Sequence, residues 1–179
     1  MKTESAFIDP HWDLIKNCLA GDRKSYREVY KLYSKAMFAI ALRIVRDRDV
    51  AEDILQESFI NAFSNLTNFK SESTFGAWLK KIVVNTSINY IKKKKMIFLS
   101  LDEIGINKSD EEKEEPIYNV AKIKEAIGKL PDGFRVILTL YLFEGYDHKE
   151  IAEILEISES TSKSQYSRAK DKLKKILTQ

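Results

Sequence analysis

Cysteine is nearly absent from this sequence: Cys18 stands alone among 179 residues, which excludes an internal disulfide. Histidine is almost as scarce. His11 and His148 lie far apart with no other soft ligand beside them, so no zinc site is available. The six glycines form no phosphate-binding loop, and no nucleophile sits near a base. Glu52, Asp53 and Glu57 carry charge enough for Mg2+, but a bare patch on one helix lacks converging partners. The chain is therefore expected not to be an enzyme and to need no metal or cofactor. The opening MKTESAFIDPHWD has no continuous apolar stretch, and nothing later approaches the roughly 20 apolar residues of a membrane span. A reduced, cytoplasmic, soluble protein without membrane insertion is the expectation.

What is present is a chain 44% hydrophobic, enough for one substantial core or two small ones. Two fit better, because a strongly polar stretch divides it. The net charge of +3 hides a segregation: Asp102, Glu103, Asp110, Glu111, Glu112, Glu114 and Glu115 gather in that stretch while bases gather on either side. Such segregation points to a polyanionic partner.

The most informative segment runs from Tyr146 to Leu177. Asp147 and Glu150 have capping-box spacing ahead of Ile151, Ile154, Leu155 and Ile157, which predicts a short helix. Ser158 then offers a cap for a second helix whose inner face is Tyr166, Ala169, Leu173, Ile176 and Leu177. Its outer face reads Thr161, Lys163, Ser164, Gln165, Arg168 and Lys170. Two helices at a sharp turn, the second offering amide, hydroxyl and cationic groups, suit a helix-turn-helix entering a major groove. Gln pairs with adenine, and Arg or Lys with guanine or phosphate. A solvated basic helix would have the same composition.

Earlier in the chain, apolar residues recur at three and four from Trp12 to Ala20 and from Lys24 to Val45, with a break at Gly21-Asp22. After Asp49, which offers a cap, Val50, Ile54, Phe59 and Phe63 are placed inward. Glu52, Asp53, Gln56 and Glu57 then form an acidic and amide patch outward. Residues 65–74 are rich in turn formers and read as a loop. The helix after it sets Phe75, Trp78, Leu79, Ile82, Val83 and Ile88 on one side, leaving Lys80, Lys81, Asn85, Asn89 and Lys92 to Lys95 on the other. Lysines also complement the dipole of a helix C-terminus, yet cations, amides and aromatics beside a loop suit single-stranded DNA. MIFLSL is a brief extended candidate, and the acidic stretch after it has linker chemistry. Helices are expected over Ala121 to Lys129 and Phe134 to Phe143, the latter apolar and central, with Gly145 closing it. The fold expected is all-α: two small helical domains, 1–95 and 120–179, joined by a flexible acidic linker, 96–119.

In this order, Ala20-Gly21-Asp22, the run Asp49 to Phe59, Phe75 with Trp78-Leu79 and Asn85, Leu130-Pro131, and the run Glu150 to Leu155 leading to Lys163-Ser164 and Ser167-Arg168-Ala169 resemble the sigma-70 family of RNA polymerase sigma factors. The resemblance is to the small two-domain extracytoplasmic-function group. It implies that Asp53, Gln56 and Glu57 bind core RNA polymerase. It also implies that the 65–74 loop with Lys80, Lys81, Asn85, Asn89 and Lys92 meets the melted minus-10 element. By the same resemblance Thr161, Lys163, Ser164, Gln165 and Arg168 meet the minus-35 duplex. The partners implied are core polymerase, promoter DNA and an anti-sigma factor, with a monomer when free. The sequence departs from the family pattern at Glu156 and Ser160, where Gly is common, at Ser162 for an apolar residue, at Gln165 and Lys92 for Arg, and at Asn89 for Asp. Ser162 is expected to weaken docking of the second helix. A stand-alone helix-turn-helix regulator is the alternative; it would be a dimer binding duplex tightly without polymerase. A purely protein-binding helical adaptor would leave both basic helices unexplained.

Overall fold

The computed structural model describes residues 9–94 and 120–178, so the MIFLSL segment and the acidic linker lie outside the described residues. The chain divides into two compact units, Met1–Tyr90 and Ile91–Gln179. Among the described residues all regular structure is helical.

The first unit is built from α1 (Trp12–Leu19), α2 (Arg23–Val45), α3 (Arg48–Ser64) and most of α4 (Phe75–Lys94). Gly21, at φ +86°, turns the chain after α1, and Asp22 caps α2 by accepting from the Lys24 and Ser25 amides. The Ser25 hydroxyl donates to the same carboxylate at 2.6 Å, and this bond leads the effects that hold Asp22 below the usual carboxylate range. Arg46 takes a left-handed conformation (φ +62°) at the end of α2, so the next cap is Asp47 rather than the expected Asp49. Asp47 is the first residue after the reversal with extended backbone, which leaves Asp49 inside the first turn of α3.

Ala51, Ile54, Leu55, Ser58, Phe59 and Ala62 form the buried face of α3, while the expected Val50 and Phe63 sit at its half-buried edges. The α2–α3 seam is closed by rings: Tyr30 lies 4.7 Å from Phe59 and Tyr26 4.8 Å from Phe63, centroid to centroid. Full burial of a side chain such as Phe75 or Leu79 contributes about 1.5–3 kcal/mol, so this core holds a unit of modest size.

The second unit contains α5 (Val120–Gly128), α6 (Asp132–Leu138), a π-helical turn over Thr139–Phe143, α7 (His148–Leu155) and α8 (Glu159–Leu177). Leu130, Phe134, Leu138 and Ala169 make its core, with Tyr166, Leu173 and Ile176 packed against them. The expected single helix from Phe134 to Phe143 is instead interrupted. Burial is unbroken from Gly133 to Leu140 and stops inside the π-helical turn. Tyr141, Leu142 and Phe143 are exposed by 37%, 52% and 45%, not central.

Candidate functional site

The α7–α8 pair forms as its sequence requires. Asp147 accepts from the Glu150 amide at 2.8 Å, and Glu150 accepts from the Asp147 amide at 2.9 Å. Glu156 ends α7 in a left-handed conformation (φ +61°), and Ser158 caps α8 by accepting from the Thr161 amide at 3.0 Å. His148 Nδ1 lies 2.9 Å from the hydroxyl of Ser162, which is fully buried, and the imidazole stacks on Tyr141 at 4.7 Å. Ser162, expected to weaken docking, is thus docked by a hydrogen bond in place of an apolar contact.

The exposed side of α8 carries Lys163 and Ser164, with Thr161 and Arg168 half-exposed. Lys163 is bonded to Glu159 at 2.6 Å, and this hydrogen bond holds the Glu159 carboxyl below its ordinary range. Thr161 is engaged in the cap, its hydroxyl 2.7 Å from that of Ser158. Gln165 does not belong to this surface. It is only 6% exposed, and its Oε1 has no hydrogen-bond partner among the described residues. α8 packs against both α6 and α7, so its buried arc is wider than the single stripe through Tyr166 and Ala169. Ser162, Gln165 and Ala169, spaced by three and four, extend that arc. Ser167, part of the Ser167-Arg168-Ala169 motif but not among the expected minus-35 contacts, is exposed at i+3 from Ser164 and i+4 from Lys163.

On α3, Asp53, Gln56 and Glu57 are all exposed at i, i+3 and i+4, one continuous face. Ile60, at i+7 and absent from the expected polymerase-binding set, extends it and is 66% exposed. Beside this face a groove of about 300 Å³ is lined by residues of α2 and α3, among them Tyr30, Phe38, Arg48, Leu55 and Gln56. Arg48 stands 5.7 Å over the Phe38 ring and pairs with Glu52 at 3.1 Å.

On α4, Lys81, Asn85 and Asn89 are exposed at intervals of four, while Lys80 and Lys92 are half-buried. The loop before α4 contains a 3-10 turn over Leu66–Asn68, and Leu66 and Phe69 anchor it in the core. Phe69, Phe75 and Trp78 lie within 5.4–5.7 Å of one another, centroid to centroid, and Ser71 adopts φ +57°. Among the described residues no cluster of His, Cys, Asp and Glu has a metal-holding arrangement. No helix among them is long and apolar enough to cross a membrane.

An acidic face on one helical unit and a helix-turn-helix with a cationic face on the other suit a two-part protein that meets both a protein and a nucleic acid. Sigma-70 region 2 matches residues 29–96, and Sigma-70, region 4 matches residues 121–173. The ECF RNA polymerase sigma factor SigM of Bacillus subtilis is 33% identical over 83% of this chain and 93% of that protein. RNA polymerase sigma-H factor of Pseudomonas aeruginosa is 26% identical over 92% of each. The same fold occurs in the sigma factor RpoE, solved with the anti-sigma factor NepR from Bartonella quintana. That likeness has a TM-score of 0.58 and 24% identity over 87% of this chain and 98% of that one. The chain belongs to the ECF group of sigma-70 RNA polymerase sigma factors, proteins that direct promoter-specific transcription by binding core polymerase and promoter DNA.

Proposed function

We propose that this sigma factor divides its work among the three surfaces described above, with residues 96–119 joining its two functional regions. Asp53, Gln56 and Glu57 on α3 bind core polymerase, and Ile60 adds an apolar contact to that face. An acidic stripe on a protein that must approach DNA is best suited to a protein partner, and this carries the assignment. Lys81, Asn85 and Asn89, flanked by Lys80 and Lys92, meet the melted minus-10 strand, where cations offset phosphate repulsion and amides reach bases. Capture of an unstacked base costs a few kcal/mol, which a loop pocket over residues 65–74 and nearby lysines offset.

Lys163, Ser164, Ser167 and Arg168 meet the minus-35 duplex. Thr161 acts mainly as part of the cap that aims them, and Gln165 as part of the packing beneath them. An anti-sigma factor is the expected regulator; the likeness in fold to RpoE in its complex with NepR supports this. The chemistry proposed is recognition and strand separation, with no catalytic residue.

Retention of core polymerase on the immobilised full chain tests the division. The double variant Asp53→Lys, Glu57→Lys is expected to lose core while keeping its circular dichroism and its affinity for duplex minus-35 DNA. Unchanged core retention would refute the α3 assignment. Loss of both activities together would mean that the surfaces are not separate.

A further inference from the structure

The start of α4 is held by a residue 66 positions upstream. Asp9 is only 3% exposed, and both of its carboxylate oxygens are used: Oδ2 accepts from the Phe75 amide, and Oδ1 accepts from the His11 amide at 2.7 Å. Thr74 supplies the ordinary local cap, its hydroxyl oxygen accepting from the Ala77 amide at 3.0 Å. The Phe75 amide is a first-turn donor that the local cap leaves unmet, and a negative charge there also complements the helix dipole.

The residues around Asp9 tie the same corner together. His11 Nδ1 lies 2.8 Å from the Tyr33 hydroxyl, and the Tyr33 ring packs on Phe75 at 5.3 Å. Gly76 faces that ring so closely that a Cβ there would come within 2.9 Å of it. Trp12 approaches Phe69 of the loop at 6.3 Å. The far end of the 65–74 loop is thus fixed by a carboxylate from outside it, at the point where the loop becomes α4.

We propose that Asp9 is a positioning residue for single-strand recognition: by fixing the first turn of α4, it sets the conformation in which the 65–74 loop receives an unstacked base. The inference rests on the reading that this loop and α4 meet the melted strand. Nothing in the α3 face depends on it, so core binding and strand capture should separate when Asp9 is changed.

The test uses holoenzyme assembled from core and the full chain, on a promoter fragment recovered by run-off transcription and carrying 2-aminopurine at successive minus-10 positions. With the wild-type chain, fluorescence should rise at one or more positions; no rise at any position would overturn the loop reading itself. With Asp9→Asn, one of two backbone donors faces an amide N–H in place of an acceptor, and the rise is expected to slow about tenfold. Core retention should stay unchanged. Ile15→Val, a core change in α1, serves as a stability control. If it slows the rise as much as Asp9→Asn at a matched melting temperature, Asp9 acts through stability alone and the proposal fails. A wild-type rate for Asp9→Asn overturns it as well. Should Asp9→Asn not fold, Asp9→Glu keeps the charge and displaces the carboxylate by one methylene. Slowed unstacking with core binding kept would support the proposal, and wild-type unstacking would overturn it.

Discussion

The Lys163 ammonium is already bonded before any DNA arrives, because Glu159 one turn earlier accepts from it at 2.6 Å. In the proposed minus-35 role of Lys163 a phosphate would have to displace that carboxylate, so Glu159 would moderate attraction to any duplex. Glu159→Gln is expected to raise affinity for unrelated DNA about two- to fivefold, the range of an exposed pair, as read by fluorescence anisotropy at low salt. No change would show that the pair is inconsequential. Lys163→Ala should instead weaken binding to all sequences and reduce the salt slope by about one.

Gln165 calls for a different experiment from its neighbours. Its buried Oε1 lacks a partner among the described residues, so Gln165→Met should stabilise the second unit by about 1 kcal/mol while leaving minus-35 preference unchanged. Altered base preference would return Gln165 to the DNA face. Cys18 reports on the first unit: burial, aided by the Asp22 charge, pushes its thiol up to about 11 from 9.0. The folded chain therefore holds its proton where the unfolded chain has lost it, and stability falls as pH rises from about 9 toward 11. Thermal melts across that window check the direction, and stability rising with pH would contradict it.

At the scale of elements, the left-handed residue that ends α7 is the clearest local cost. Glu156 at φ +61° carries a side chain where glycine would be unstrained. Glu156→Gly is expected to raise stability by about 1 kcal/mol by thermal or urea melting, and a loss would mean that the glutamate side chain outweighs the strain. Elements set by local chemistry were legible in the sequence. The capping box at Asp147 and Glu150, the Ser158 cap and the Gly21-Asp22 break all fall where their side chains require.

What was hidden depended on neighbours. The cap of α3 moved to Asp47 because α2 reversed within one residue, and periodicity cannot count the residues a reversal consumes. The run ending in Leu142 and Phe143 looked central because its composition is apolar, but only Gly133 to Leu140 are buried and the last three residues of the π-helical turn are exposed. Gln165 looked exposed because one helix shows one inner stripe, whereas α8 meets α5, α6 and α7. The Asp9 contact with Phe75 spans too much sequence for any local pattern.

On the scale of the molecule, the two compact units present surfaces of different chemistry. α3 offers acids and amides, whereas α4 and α8 offer lysines and small polar groups. Separate surfaces joined through a linker gain effective concentration only when a third body fixes their spacing. The free chain should therefore bind promoter DNA weakly and sediment as a monomer. A tight, sequence-specific dimer would favour the stand-alone regulator instead. Ile60→Asp tests the reach of the α3 face, since an acid at that apolar position should weaken core retention without unfolding a residue that is 66% exposed. Full retention would confine the interface to Asp53, Gln56 and Glu57.

The most direct measurement is run-off transcription from a genomic-fragment library with purified core polymerase, with and without this protein. Defined start sites that appear only on its addition are expected, with a shared pair of upstream elements where minus-35 and minus-10 contacts fall. Folded protein that is not retained by core and yields no new start site would contradict the account.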